Sequence, residues 1–263
     1  VEPMPFRSLS TRGDDGPVFS PAGRYLAFGV ESLVLVVPVG PSGRLAGTPR
    51  AVTSEITDSP VWLDERTLLY LSGGRLRRTT IAGDPATTVP LDLTHTRASV
   101  REPRTIPAGR LWDGVAQELR SDVDIVLDGS RIAAVRPHDP ARRPDVDASG
   151  LTVMPGLIDA HNHWHLRGRA WGARQGLVWL SYGITTTRSP GDPAYQVQET
   201  REALRAGTLV GPRLFATGEA IDGSRVSYNF MRPTLSVEQL DLEVQRARRL
   251  RYDLFKTYVR LPV

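Results

Sequence analysis

From residue 151 onward, strand-like and helix-like segments alternate, and this alternation is the strongest constraint on the fold. The helix-like segments are 166–181, 193–206 and a third that starts at Ser236; the strand-like segments after the first are 183–188, 213–218 and 253–259. A βαβα order predicts a parallel sheet covered by helices. Ser236 and Gln239 have the spacing of a helix-capping box, and Gly207 follows the second helix, so local signals agree with the periodicity.

The segment 151–263 contains about half of what a (β/α)₈ barrel needs, since such barrels take about 250 residues. We therefore expect the first four β/α units, the first half of a TIM-type barrel. Because an open sheet leaves strand edges unpaired, we also expect other polypeptide to complete it.

The first strand of this series ends in "VMPGLIDAHNHWH" (153–165), which places three of the chain's five histidines at every second position. Side chains two residues apart on a strand share a face and lie about 7 Å apart. His161 and His163 are therefore spaced to bind one metal ion through neutral imidazole nitrogens, as Zn²⁺ prefers. His165 has the same parity but is expected beyond the strand. A solvated or backbone-bonded strand end is the alternative.

Composition limits the available ligands and partners. The chain has no cysteine, so disulfides and thiolate metal sites are excluded. The net charge of +4 is spread along the chain, which argues against nucleic acid as a partner. The longest apolar stretch, 33–39, is too short to span a membrane. Since the chain starts at Val1 and has no leader-like pattern, we expect a processed or internal piece.

Two stretches near the N-terminus, "DGPVFSPAGRYLAF" (15–28) and "DSPVWLDERTLLY" (58–70), repeat at an offset of 43 residues. The positions that match in type are Pro17 with Pro60, Val18 with Val61, and Phe19 with Trp62. This spacing fits the about 40–45 residues of a four-stranded propeller blade. Residues 1–95 are therefore predicted to form about two blades of a partial β-propeller; two unrelated β-meanders are the alternative.

Residues 96–150 have the pattern of a small β-sandwich module. Val123, Ile125 and Leu127 alternate with polar residues and precede an Asp-Gly hairpin turn. The predicted fold class is thus multidomain, β plus α/β.

The motif "GLIDAHNH", preceded by a module with "GRLWDG" and "DIVLDGSRIAAV", resembles the metal-dependent amidohydrolase superfamily. "GITTTRSPG", "GPRLFATG" and "DLFKTYVRLP" are similar to its imidazolonepropionase-like and Xaa-Pro dipeptidase-like branch, and "FSPAGRYLAF" resembles TolB-like propeller repeats. The resemblance implies a hydrolase of amide or cyclic amide bonds that acts on a small-molecule or dipeptide-like substrate. It also favours an exported or periplasmic bacterial protein over a cytoplasmic one.

The resemblance implies that His161 and His163 are metal ligands. It also implies that Lys256 is carboxylated and bridges two divalent ions, expected to be Zn²⁺. The composition agrees, because Lys256 is the only lysine among 33 basic residues. A desolvated lysine can lose its proton and combine with CO₂ to give an anionic oxygen ligand, whereas a guanidinium stays protonated. An ordinary lysine in an arginine-rich chain is the alternative.

Strand parity divides the segment around Lys256 into two faces. Leu254, Lys256 and Tyr258 are expected to line the barrel interior; Phe255, Thr257 and Val259 are expected to pack against helices.

Substrate-binding candidates lie near these strand ends. Arg260 or Arg188 could hold a substrate carboxylate by a bidentate contact, with a surface ion pair as the alternative. The other candidates for the pocket are Tyr258, Tyr228, His165 and Trp164.

The implied mechanism is metal-assisted hydrolysis, in which a carbamate and a hydroxide bridge two ions and the scissile carbonyl is polarised. The family pattern also requires histidines and an aspartate from barrel strands five to eight. We therefore expect a partner, either a cleaved chain or a homologous subunit, that supplies those strands, further propeller blades and the general base. This chain alone is expected to lack hydrolase activity. The alternatives are a non-catalytic β-propeller interaction protein with a silent half barrel and a mononuclear-metal deaminase.

Overall fold

The computed structural model describes residues 16–30, 32–96, 104–165, 172, 174–223, 228 and 230–261. Strands outnumber helices among these residues. The chain divides into two compact units: Val1–Leu93 with Asp159–Tyr182 and Thr186–Val263, and Thr94–Ile158 with Gly183–Thr185. None of the helices in the described ranges is long and apolar enough to cross a membrane.

Two four-stranded antiparallel meanders occupy the N-terminal part of the first unit. The strands of the first are β1 (Val18–Phe19), β2 (Tyr25–Val30), β3 (Leu33–Pro38) and β4 (Arg50–Ala51), in sequential order. The strands of the second are β5 (Asp58–Trp62), β6 (Thr67–Ser72), β7 (Arg75–Thr80) and β8 (Thr87–Thr88), also in sequential order. The repeated positions Val18 and Phe19 fall in β1 and Pro60, Val61 and Trp62 fall in β5, while Pro17 immediately precedes β1.

The two meanders share one apolar core. Ala27 and Val34 of the first meander and Leu68 of the second are in the same buried cluster, and Val18 and Trp62 pack against it. Trp62 Nε1 also donates a hydrogen bond to the Val18 carbonyl oxygen at 3.0 Å. The repeat is therefore structural as well as sequential, while its assignment to propeller blades stays a prediction.

A parallel sheet and three helices follow residue 156 along the chain. The sheet has the order β13 (Leu157–Asp159), β14 (Ile184–Ser189) and β15 (Arg213–Ala216). The helices are α1 (Arg174–Ser181), α2 (Ala194–Ala206) and α3 (Val237–Arg249). Residues 166–171 and 173 of the helix predicted over 166–181 lie outside the described residues.

Two predicted helix boundaries are confirmed by their caps. Ser236 precedes α3, and its side chain accepts a hydrogen bond from the Gln239 backbone nitrogen. Gly207 follows α2 with φ +76°, a left-handed conformation that glycine adopts at little cost.

The prediction of a strand over residues 253–259 is wrong. Within this segment only Thr257 forms a β-bridge, which is parallel to Ile221. Ile221 belongs to β16 (Ala220–Asp222), which pairs in parallel with β17 (Met231–Pro233). The sequence pattern did not predict this pair of short strands. Asp253 instead bonds through both its backbone nitrogen and its side chain to Ala216. The expected faces are therefore not formed as predicted, and Leu254, Phe255 and Val259 are exposed.

The second unit contains one four-stranded sheet. Its strands are β9 (Arg104–Leu111), β10 (Arg120–Asp128), β11 (Arg131–Pro137) and β12 (Ala148–Val153), in the order β11-β10-β9-β12. Val123 and Ile125 are buried in its core as predicted, but Asp124 between them is also buried, where it contacts His138. Asp128 pairs with Arg131 at the hairpin. The sandwich assignment and the predicted domain limits 1–95, 96–150 and 151–263 stay predictions.

A buried cluster of charges joins the second meander to α3 and β17. Asp58, which is fully buried, contacts Arg232 and receives two hydrogen bonds from Arg246, at 3.1 Å from Nε and 3.0 Å from Nη2. Arg246 also contacts Glu219, and Arg232 lies 3.4 Å from Glu243. Burial by itself lowers the pKa of Arg246, but the carboxylates of Asp58 and Glu219 outweigh it and raise the pKa well above its ordinary value.

Replacing Asp58 should strongly destabilise the first unit. In Asp58→Asn, two buried guanidinium groups lose a shared carboxylate, and we expect a loss of about 3–5 kcal/mol in the free energy of unfolding. Urea titration followed by tryptophan fluorescence measures the change. The control is Asp241→Asn, because Asp241 is exposed on α3 and a surface change there should stay within about 0.5 kcal/mol. Equal stability of the two variants would contradict a stabilising role for the cluster.

The second unit should lose stability as the pH rises. His138 Nδ1 lies 2.7 Å from Asp124 Oδ1, and this hydrogen bond raises the pKa of His138 and lowers the pKa of Asp124. The stabilisation by protonated His138 is complete below its unfolded pKa of about 6.5 and is lost as the pH rises through the raised folded value. Hydrogen exchange of the β10 and β11 amides should show this loss, and His138→Gln should remove the pH dependence.

Candidate active site

A cavity of about 270 Å³ in the first unit is lined by most of the predicted site residues. The predicted residues that line it are His161, His163, Lys256, Tyr228 and Tyr258. A larger cavity of about 920 Å³ in the same unit is lined by many arginine and glutamate residues but by none of the predicted site residues. The smaller cavity is therefore the candidate active site.

The two histidines follow β13 directly. The rings of His161 and His163 have centroids 5.5 Å apart, and His163 Nδ1 lies 2.6 Å from the carbonyl oxygen of Gly191. Because a carbonyl oxygen only accepts, Nδ1 must carry the hydrogen, which leaves the lone pair on Nε2. That is the form in which an imidazole binds a metal, so the donor set fits a metal site.

Backbone hydrogen bonds to β16 hold the segment that contains Lys256 at the cavity. Ile221 donates a hydrogen bond to the Lys256 carbonyl oxygen at 2.9 Å and accepts one from the Tyr258 nitrogen at 2.8 Å. Lys256 Nζ lies 5.7 Å from the centroid of the Tyr258 ring, a distance typical of a cation–π contact. An uncarboxylated Lys256 thus has an aromatic partner in the cavity.

Aromatic rings form the rest of the cavity wall. Tyr228 and Phe230 stack with centroids 5.1 Å apart and planes 8° apart, and Phe230 lies 5.2 Å from the His163 ring. The lining residues that the sequence did not predict are Phe230, Met231, Pro190 and Ala220. Phe230 immediately precedes β17 and Met231 is its first residue, and a strand of three residues is too short for a periodic pattern to indicate which side chains become buried.

The two predicted arginines do not line this cavity. Arg188 donates a hydrogen bond from Nε to the Ala160 carbonyl oxygen at 2.7 Å. The Arg260 guanidinium lies 3.9 Å from the Asp222 carboxylate and is 42% exposed. Their role in binding a substrate carboxylate stays a prediction.

His165 and Trp164 lie outside this cavity lining too. Trp164 is buried against Trp179, with ring centroids 4.7 Å apart, and donates to the Thr187 hydroxyl at 3.1 Å. Trp164 belongs to the buried core and, together with His165, lines a separate cavity of about 520 Å³. His165 Nδ1 contacts the carboxylate of Asp192.

Asp192 was missed by the sequence prediction. Asp192 follows the carboxyl end of β14, the edge at which barrel enzymes place functional residues. This position in the sequence could have indicated a functional role. The ligand atoms of His163, His165 and Asp192 lie within 4.8 Å of one another. They form a second candidate ligand set that shares His163 with the first.

No family model matches the chain, but parts of it are similar to curated enzymes. It is 36% identical over 103 residues to imidazolonepropionase from Streptomyces avermitilis, covering 34% of this chain and 25% of the relative. It is 40% identical over 62 residues to allantoinase from Solibacter usitatus, covering 23% and 14%. It is 40% identical over 85 residues to adenine deaminase 2 from Rhizobium etli, covering 31% and 14%. The chain therefore spans a quarter or less of the length of these relatives.

Two solved structures share the fold of a larger part of the chain. A Xaa-Pro dipeptidase with bound methionine matches with a TM-score of 0.50 and 22% identity, over 59% of this chain and 47% of that one. A candidate prolidase from Bifidobacterium longum matches with a TM-score of 0.50 and 25% identity, over 60% and 41%. These partial likenesses to curated enzymes agree with the resemblance stated from the sequence, and the two solved structures add a shared fold.

The two candidate ligand sets make opposite predictions for metal content. If His161, His163 and Lys256 bind the metal, His161→Asn should lower the metal bound per protein and His165→Asn should largely spare it. If His163, His165 and Asp192 bind it, the two variants should behave in the reverse way. Atomic absorption after dialysis against Zn²⁺ measures the content. His163→Asn should lose metal in both cases, and full retention of metal in that variant would contradict both sets.

Proposed function

We propose that this protein is a metal-dependent hydrolase of amide or cyclic amide bonds. In this proposal, His161, His163 and Lys256 hold two divalent ions, and residues outside this chain complete the site. The observation that carries the proposal is that one cavity is lined by side chains from two distant segments, the histidine strand end and residue 256. The likeness to imidazolonepropionase and allantoinase supports the reaction class.

The chemistry of the ligands favours Zn²⁺. Imidazole nitrogens and an anionic oxygen are ligands that this ion accepts, and carboxylation of Lys256 would provide the oxygen. Ions bound there would lower the pKa of a water molecule and polarise the scissile carbonyl. The chain's own part is to hold His163 with Nε2 available, through the hydrogen bond from Nδ1 to Gly191.

The aromatic wall binds and orients the substrate. Tyr228, Phe230 and Tyr258 present ring faces that suit a flat or apolar group next to the scissile bond, and they exclude water from one side of the cavity. The tyrosine hydroxyl groups can donate hydrogen bonds to a carbonyl oxygen. A cyclic amide or a dipeptide-like amide fits this lining, and the likeness to a candidate prolidase agrees with the second class.

The general base is assigned to polypeptide outside this chain. The chain spans a quarter or less of its curated relatives, which supports a longer barrel that contributes further ligands. A cleaved chain or a homologous subunit can supply them.

A mononuclear deaminase is the second candidate function. The 40% identity over 85 residues to adenine deaminase 2 favours it. One ion per site, an unmodified Lys256 and release of ammonia from an aminated ring would support this candidate over the amide hydrolase. A protein that binds no metal would exclude both candidates and leave a non-catalytic interaction protein as the alternative.

Lys256→Arg should abolish the two-ion site. The variant keeps the positive charge but cannot form a carbamate, so we expect the metal content to fall from about two ions to one or none per site, with turnover lost. Metal analysis, intact mass under CO₂ and turnover of dipeptide and lactam substrates measure these effects, with turnover assayed on protein that includes the completing polypeptide.

The matched control places a single lysine elsewhere. Arg142 is half-exposed, so Arg142→Lys combined with Lys256→Arg restores one lysine without restoring the site. This double variant should recover neither metal nor turnover. A Lys256→Arg variant that keeps both ions and full turnover would exclude Lys256 from the mechanism.

A further inference from the structure

A turn after β14 connects the metal-site histidine to a buried carboxylate. Asp192 is 1% exposed and ends the turn that begins at Ser189. The Ser189 hydroxyl donates a hydrogen bond to Asp192 Oδ2 at 2.6 Å. His165 contacts Asp192 Oδ1 through Nδ1, and its backbone nitrogen donates to the same oxygen at 3.3 Å. The carboxylate therefore ties the turn to the segment that carries the histidines.

The backbone of this turn holds His163. Gly191 immediately precedes Asp192, and its carbonyl oxygen accepts the hydrogen bond from His163 Nδ1 at 2.6 Å. The Asp192 backbone nitrogen donates to the Gly218 carbonyl oxygen at 3.0 Å, which fixes the other side of the same peptide unit. The orientation of the Gly191 carbonyl thus depends on how Asp192 is held.

The packing leaves little freedom around this carbonyl. A Cβ atom at Gly191 would lie 2.9 Å from Phe230 Cε2 and 3.6 Å from His163 Cε1. The turn is therefore pressed against the ring that lines the cavity, and a small rotation of the peptide would break the hydrogen bond to His163.

The hydrogen bonds of Asp192 distinguish a positioning role from a ligand role. Both carboxylate oxygens already accept hydrogen bonds, Oδ1 from His165 and Oδ2 from Ser189. Of its about four lone-pair sites, three are used by the His165 ring, the His165 backbone nitrogen and the Ser189 hydroxyl. The existing contacts satisfy the carboxylate without an ion.

We propose that Asp192 is a positioning residue for the metal site. With Ser189 and His165, it fixes the turn whose Gly191 carbonyl oxygen keeps His163 in the Nδ1–H form and directs Nε2 to the cavity. This inference rests on the proposed function for the part of it that concerns a metal. The tautomer of His163 in the metal-free protein tests the rest independently.

The first experiment is an imidazole NMR spectrum of the metal-free protein labelled with ¹⁵N-histidine. The pH is set well above about 6.5, the usual pKa of histidine, and His163→Asn assigns the signals. His163 should show the Nδ1–H tautomer in the native protein and lose it in Asp192→Ala. Asp192→Asn should preserve it, because the amide oxygen still accepts from His165. An unchanged tautomer in Asp192→Ala would overturn the proposal.

The chain offers a matched control in its other unit. Asp124 is also 1% exposed and also contacts a histidine, with Oδ1 2.7 Å from His138 Nδ1. Asp124→Ala should change the signals of His138 and leave the tautomer of His163 unchanged. If Asp192→Ala fails to fold, Ser189→Ala removes one contact to the carboxylate and should shift the His163 tautomer in the same direction; no shift in that variant would overturn the proposal.

The second experiment measures Co²⁺ affinity by visible absorption. Asp192→Ala should weaken binding by about 10–100-fold, the usual effect of removing a group that orients a ligand, whereas Asp192→Asn should stay within a few-fold of the native protein. Native protein that binds no Co²⁺ would overturn the proposed function but not the tautomer result. Native binding that Asp192→Ala leaves unchanged would overturn the positioning role alone.

Discussion

The buried ion cluster around Arg246 determines how the first unit is built. Three carboxylates, those of Asp58, Glu219 and Glu243, surround the guanidinium groups of Arg232 and Arg246. A buried charge without its partner costs several kcal/mol, so the stability of each member depends on the others. The second meander and helix α3 are therefore energetically coupled, although the sequence analysis placed them in separate domains.

Local signals predicted the parts of the fold that depend on neighbouring residues. Gln239 and Ser236 formed the expected cap, and Gly207 ended its helix, since both features depend only on residues within one turn. Pairs such as Asp58 with Arg246, 188 residues apart, leave no such pattern. The strand predicted over 253–259 failed for a related reason, because a long-range pair, Asp253 with Ala216, redirects its first residue.

The same distinction between local signals and long-range contacts applies to the candidate site. A local motif singled out His161 and His163, although both lie beyond β13 and not on a strand, and the family resemblance singled out Lys256, supported by its being the only lysine in the chain. All three line the same cavity. Phe230 and Asp192 were not, since both lie in turns or loops whose position is set by tertiary contacts. The ring of Phe230 packs against His163, and the buried carboxylate of Asp192 contacts His165. Both roles depend on the tertiary structure around the histidines.

Glu219 links the ion cluster to the candidate site. One carboxylate oxygen contacts Arg246, and the other accepts a hydrogen bond from the Ala194 nitrogen at 3.0 Å, at the start of α2, where helix nitrogens lack partners. The next residue begins β16, whose Ile221 holds Lys256 and Tyr258 by backbone hydrogen bonds. The ion pairs that hold Glu219 thus also hold β16, the strand to which the Lys256 backbone is hydrogen-bonded. The position of Lys256, the proposed metal ligand, therefore depends on an ion cluster that includes Asp58 of the second meander, which is a physical reason for the two regions to occur in one chain.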